Sequence, residues 1–237
     1  MSSVRASRII ALSILAGLIA GGFLAALQVA IVQPYMNLLV DGIIDELLAD
    51  GEFDEELFDS HTRSVYLSQT MGSAVMGVAA GALIGGVCAV GRSKAGIGNA
   101  ILIAGIAWFV LYAVPVAKYP PSPIAMYSEE AAAEYYTLYF SYLAISGLAA
   151  LVVVAAFKRV SRKNKFFGMA AAYLVIVAIA YAIFPSYDLD STFDQSRLNT
   201  WRAVVSAAMA AFWFSAGTIA GLLWKYGSTR KVRSRCA

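Results

Sequence analysis

The 237-residue chain has little of what soluble enzymes rely on: one histidine, two cysteines, six prolines, and only 14% charged residues. A soluble domain would carry roughly 25% charge, so a fold surrounded by water is excluded. Cys88 lies in an apolar block and Cys236 in a basic tail, with no C-x-x-C spacing. A disulfide framework and a thiolate metal site are therefore excluded as well. There is no phosphate loop, no H-E-x-x-H run and no Ser/His/Asp set. With one histidine and no acid pair inside an apolar block, hydrolysis has no machinery, and the chain is not expected to be an enzyme. Its basic runs lack interleaved aromatics and any nucleic-acid motif, so no nucleic acid is expected as partner.

What the chain has is apolar length. Hydrophobic residues make up 60% of it. Apolar blocks run over approximately 9–32, 67–90, 97–117, 136–157, 166–184 and 203–224. Each is close to the ~20 residues needed to cross a bilayer. The first is too long for the ~7–15-residue apolar region of a signal peptide, and it ends at Gln33–Pro34, so it reads as a retained helix. The expected fold is an all-α polytopic membrane protein, one membrane domain over 1–237 with six transmembrane helices.

The charges fall on alternate ends of these blocks. Arg5, Arg8, Arg92, Lys94, Lys158, Arg159, Arg162, Lys163, Lys165, Lys225, Arg230, Lys231, Arg233 and Arg235 lie on one side, with no acid among them. The opposite side holds all 15 acids and only Arg63, Lys118, Arg197 and Arg202. Excess Lys and Arg marks the cytoplasmic side, so a multi-pass protein of the cell membrane with both termini inside is expected. The basic runs would also meet anionic inner-leaflet lipids.

The stretch 34–66 is then an acidic outer loop. Leu38, Leu39, Ile43, Ile44, Leu47 and Leu48 form a helical apolar stripe in it, which predicts a short amphipathic helix. His61 lies in the same loop beside Glu56 and Asp59. Imidazole and carboxylates are divalent-metal ligands, so these three are the candidate metal residues. With a single histidine, binding by the isolated chain is expected to be weak.

Within the blocks, small residues recur every fourth position: Gly17 and Gly21, then Gly77, Gly81 and Gly85, then Gly217 and Gly221. Helices in lipid associate through close van der Waals approach, which such ridges permit. Odd blocks end near proline and tyrosine (Pro34–Tyr35, Tyr119–Pro120, Pro185–Ser186–Tyr187), a rhythm compatible with three hairpin repeats. Any six-helix chain with its start inside alternates in this way, so the rhythm alone does not establish duplication. Polar residues near the outer ends are few. Gln28, Gln33, Glu134, Tyr135, Tyr139 and Arg202 are the candidates for an outer vestibule, with Glu134–Arg202 or Glu134–Lys118 as ion pairs that would make such depth tolerable.

The run Lys118–Tyr119–Pro120–Pro121–Ser122–Pro123, then Glu129–Glu130, Glu134 and Tyr139–Phe140, resembles the CbtA family of proposed cobalt-transporter subunits. Gln33–Pro34, Phe184–Pro185, Trp201–Arg202 and the Trp213 to Trp224 stretch are similar too, so the resemblance covers roughly 5–225. It implies a role in Co²⁺ uptake serving cobalamin synthesis, with Co²⁺ as transported substrate rather than resident cofactor. It also implies a small single-helix membrane partner resembling CbtB, whose end is histidine-rich. The rival reading is a non-catalytic accessory subunit held by neighbouring chains of a larger membrane complex. No ATP-binding element is present, so any ATP would be used by a partner.

Overall fold

The structure, a computed structural model, describes residues 3–39, 55–91, 95–123, 129–159, 165–187 and 194–233. Side chains of 3–5, 55–66, 129, 131, 159 and 227–233 are not part of that description. The elements are helical throughout: α1 (Ser3–Leu27), a π-helical segment (Gln28–Val32), α2 (Glu55–Val90), α3 (Ile97–Trp108), a second π-helical segment (Phe109–Ala113), α4 (Val114–Lys118), α5 (Glu129–Ala156), α6 (Lys165–Ile183) and α7 (Gln195–Arg233). Six helical stretches are long and apolar enough to cross a membrane: Ala6–Leu39, Leu67–Val90, Ile97–Lys118, Ala132–Ala156, Lys165–Ile183 and Gln195–Tyr226. The chain is thus all-α and multi-pass, as its hydropathy requires.

The first span does not stop at Gln33–Pro34; its helix continues to Leu39. Proline inside an α-helix removes one hydrogen bond and drives its ring into the carbonyl four residues back. Here the backbone is widened first. The Gln33 N–H bonds the Gln28 carbonyl, five residues back. The third span repeats the device: the Val114 N–H bonds the Phe109 carbonyl, and Pro115 follows directly. In both spans the proline stands two residues beyond the π segment, and the helix carries on past it. Local π adjustment is one way a membrane helix tolerates proline. The fifth span lacks it: α6 ends at Ile183, Phe184 closes with an ordinary bond to the Ala180 carbonyl at 3.0 Å, and Pro185 terminates the helix.

The helix of α2 starts at Glu55, so Glu56, Asp59 and His61 have helical backbone; their side chains lie outside the described residues. Of the amphipathic stripe, Leu38 and Leu39 belong to the first span's helix, and 40–54 lie outside the described residues.

The chain divides into two compact units, Met1–Ile106 with Thr192–Ala237, and Ala107–Ser191. The first is organised by glycine. A side chain at Gly17 would run into the Gly77 backbone, one at Gly81 would meet the Ser13 carbonyl and lie 2.8 Å from the Ile14 Cα, and one at Gly85 would lie 2.8 Å from Ser13 Oγ. α1 and α2 are therefore in backbone contact along about three turns, antiparallel. Gly217 and Gly221 of α7 do the same against α3, where an added Cβ would lie 2.7 Å from Ala104 Cβ and 2.5 Å from the Ile97 Cα. Near the N-terminal end of α1, Trp224 donates its indole N–H to Ser13 Oγ at 3.0 Å, and Ser13 donates to the Ile9 carbonyl at 2.8 Å.

The second unit is organised by tyrosine. Its core is Val110, Val114, Tyr119, Tyr135, Tyr142, Ala149, Val153 and Tyr173. Tyr119 and Tyr142, both 1% exposed, meet edge to face at 5.9 Å, and Tyr142 meets Phe184 at 5.4 Å. Each buried phenol must find an acceptor. Tyr119 donates to the Pro185 carbonyl at 2.7 Å and Tyr135 to the Pro120 carbonyl at 2.8 Å.

Candidate functional site

Polar groups inside these helices collect at two nodes, each beside a π segment. In the first unit, the antiparallel register set by Gly17·Gly77 and Gly21·Ser73 continues along α1, and Gln28, seven residues past Gly21, reaches back to Ser73 of α2. Ser73 Oγ lies 3.0 Å from Gln28 Oε1 and 2.8 Å from the Gln69 carbonyl of its own helix. One turn along the same face, Gln69 Oε1 is buried and has no hydrogen-bond partner among the described residues. The Ser73 hydroxyl has a single proton to share between Gln28 Oε1 and the Gln69 carbonyl. Gln33, only 4% exposed, donates from Nε2 to Asn37 Oδ1 at 3.1 Å. Arg202 is half-buried on α7, next to buried Trp201, whose indole nitrogen has no partner among the described residues.

In the second unit, Ser146 on α5 donates its proton to the Val110 carbonyl at 2.6 Å. That proton being used, the 2.7 Å contact between Ser146 Oγ and Tyr173 Oη has the α6 phenol as donor. The sequence Tyr173 to Ser146 to Val110 is balanced: every donor has an acceptor. Val110 stands five residues before Pro115, the position whose carbonyl a π-helical bond from residue 115 would have satisfied. Proline has no N–H, and the serine supplies the missing donor.

The six vestibule candidates thus divide between the units. Gln28, Gln33 and Arg202 belong to the first; Glu134, Tyr135 and Tyr139 belong to the second. Glu134 is exposed on α5, Tyr135 is buried, and Tyr139 stacks on Tyr135 at 6.3 Å. Lys118 directs its ammonium over the Tyr181 ring at 4.5 Å. Outside the spans, burial raises the Tyr119 phenol above its ordinary value, and burial followed by the Glu134 charge raises that of Tyr187. Between described side chains, Asp194 and Arg197 form an exposed ion pair at 3.6 Å. No group of three or more His, Cys, Asp or Glu side chains occurs among the described residues.

Ser73, Gln69, Ser146 and Tyr173 were not singled out by the sequence. A serine in an apolar helix ordinarily bonds the carbonyl four residues back, so its presence carries little signal. The usable clue would have been the prolines, since each predicts an unsatisfied carbonyl that some neighbour must meet.

A family model described as "Probable cobalt transporter subunit (CbtA)" matches residues 6–225. No curated protein and no solved structure matches the chain.

Proposed function

The chain belongs to the CbtA family, and from that premise we propose that it is the multi-pass subunit through which Co²⁺ enters the cell, with both termini cytoplasmic and the acidic loops outside. The family match over nearly the whole chain carries this reading. The membrane fold and the transport role go together: the chain supplies six spans and no nucleotide-binding element. The proposed orientation follows from the fourteen basic residues gathered on one set of ends. It puts all 15 acids on the outer face, where they would raise the local concentration of divalent cations by their field. An amphipathic helix over the 38–48 stripe would lie at that interface.

In this reading Gln28, Gln33, Glu134, Tyr135, Tyr139 and Arg202 border the entry, and Glu56, Asp59 and His61 make the first contacts with metal. One imidazole among carboxylates is a weak site for Co²⁺. A single-helix partner with a histidine-rich end, resembling CbtB, would supply the further nitrogen ligands. The test is uptake of labelled Co²⁺ by cells or vesicles carrying this chain with and without that partner. Accumulation that needs both chains is the expected result. No accumulation with both present, together with stable co-purification with an unrelated membrane complex, would make it an accessory subunit instead.

A further inference from the structure

The two π turns are held differently. In the third span the Val110 carbonyl, five residues before Pro115, is met by Ser146 of α5 at 2.6 Å. In the first span Val29 stands five residues before Pro34, the equivalent position. The hydroxyl that reaches this turn, Ser73, contacts the Gln28 side chain at 3.0 Å and the Gln69 carbonyl of its own helix at 2.8 Å, so it holds a side chain rather than the backbone. The helix beyond the turn is thinly packed. Of residues 34–39 only Leu39 is buried, whereas Ala16, Ala20 and Leu24, on the N-terminal side of the turn, are at most 1% exposed. A segment with few buried contacts, joined through a turn in which proline withholds a backbone bond, is of the kind that opens locally. Its outer end is tied to α7, where Arg197 donates from Nη1 to the Leu38 carbonyl at 3.1 Å, across 159 positions.

We propose that Gln33–Leu39 is a gate arm, hinged at the π turn Gln28–Val32 and latched to α7 by Arg197. Arg197 stands in the first turn of α7, where a cation opposes the helix dipole, so its charge does not serve its own helix. What it serves is the bond to Leu38. Asp194 orients it from a fixed point: Asp194 Oδ1 caps α7 by accepting from the Ser196 N–H at 2.8 Å, and Oδ2 lies 3.6 Å from Arg197 Nε. Both side chains are exposed, and pairs so open to water are weak and screened by salt. A latch that must release needs that weakness. The π turn itself packs against α7, so the arm pivots from a supported point. Gln28 and Gln33 flank the hinge, and movement of the arm would open the first unit beside them. The use of the arm, to admit cargo there, rests on the transport reading; the hinge and latch stand without it.

The test is thiol accessibility in the full chain, free of other cysteines, in lipid discs that leave both faces open to a water-soluble maleimide. Leu39→Cys, at a position 5% exposed, should react slowly. Adding Arg197→Ala should speed that reaction at least fivefold. Arg197→Met, which keeps the stem and removes the donors, is the second variant should the alanine protein fail to fold. Leu24→Cys, on the other side of the hinge and 1% exposed, should stay protected in every background. Pro34→Ala returns an N–H to the turn and should slow the reaction of the unlatched protein. An equal rate at Leu39→Cys with arginine, alanine or methionine at 197 overturns the latch. A rise at Leu24→Cys as large as that at Leu39→Cys overturns it too, because the whole fold would then have loosened. An unlatched rate that ignores Pro34→Ala overturns the hinge. Co²⁺ uptake by cells carrying the chain and its single-helix partner reads the use of the arm, and Arg197→Ala should change its initial rate at least twofold. Accessibility that rises while uptake stays the same overturns the gate. If the wild type imports no Co²⁺ but the accessibility results hold, the hinge and latch stand and the transport reading falls.

Discussion

Ser146 holds the carbonyl of Val110 at 2.6 Å, five residues before a proline that cannot bond it. The contact joins α5 to the widened turn of the third span, and Tyr173 adds α6 to the same point. Ser146→Ala strands both the carbonyl and the phenol, and leaving buried polar groups unsatisfied costs about 1–3 kcal/mol. Tyr173→Phe leaves the Ser146 to Val110 bond intact and should cost less. The double variant should lose less than the two singles added, which a double-mutant cycle on melting in detergent or lipid discs will read. Strict additivity would mean that the three groups do not act as a unit.

Gly81→Leu should be among the most damaging substitutions in the membrane core. Its Cβ would meet the Ser13 carbonyl and lie 2.8 Å from the Ile14 Cα, both rigid backbone. Overpacking of that kind costs about 1–3 kcal/mol. Gly86→Leu is the internal comparison, because nothing lies within 4 Å of a Cβ there. Equal losses in thermal melting at the two positions would contradict the α1–α2 contact.

Alkaline pH should loosen the second unit through Tyr119. Burial favours its neutral form, so its folded pKa lies above the ordinary phenol value of about 10. The unfolded chain therefore gives up this proton first. The stabilisation is complete below about pH 10 and is lost as pH rises through the folded value. Melting followed from neutral to strongly alkaline pH should show a smaller decline in Tyr119→Phe than in the wild type. Glu134→Gln should bring Tyr187 closer to its ordinary value, seen as earlier ionisation in ultraviolet titration, because the Glu134 charge is one of the causes raising it.

Orientation is checked by accessibility. On a background free of other cysteines, Glu55→Cys should react with an impermeant thiol reagent from outside, and Arg162→Cys only after the membrane is opened. Reaction of both from one side would refute six spans with the charge split proposed.

The spans were legible because each is a long run of apolar residues, and hydropathy needs no tertiary information. The small-residue ridges were legible for a related reason: Gly77, Gly81 and Gly85 recur at the helical period. Their partners were not. Nothing local says that Gly217 and Gly221 face Ile97 and Ala104, or that Trp224 reaches Ser13 across 211 positions. Pro34 was read as a helix end because an isolated proline disrupts the α register. The π turns that absorb Pro34 and Pro115 depend on helix context that single residues do not encode. The contact between Ser73 and Gln28 was invisible for the same reason, since it exists only once two helices are in register.

The division of the chain has a consequence for its synthesis. The second unit is continuous, Ala107–Ser191, whereas the first is made of Met1–Ile106 and Thr192–Ala237. As the polypeptide leaves the ribosome, the unit begun first is therefore finished last. α1, α2 and the start of α3 must wait in the bilayer, their faces for α7 uncovered, while the rest of the third span and two further spans are inserted. A premature stop shortly after residue 191 would release a chain whose younger half is whole and whose older half can never close.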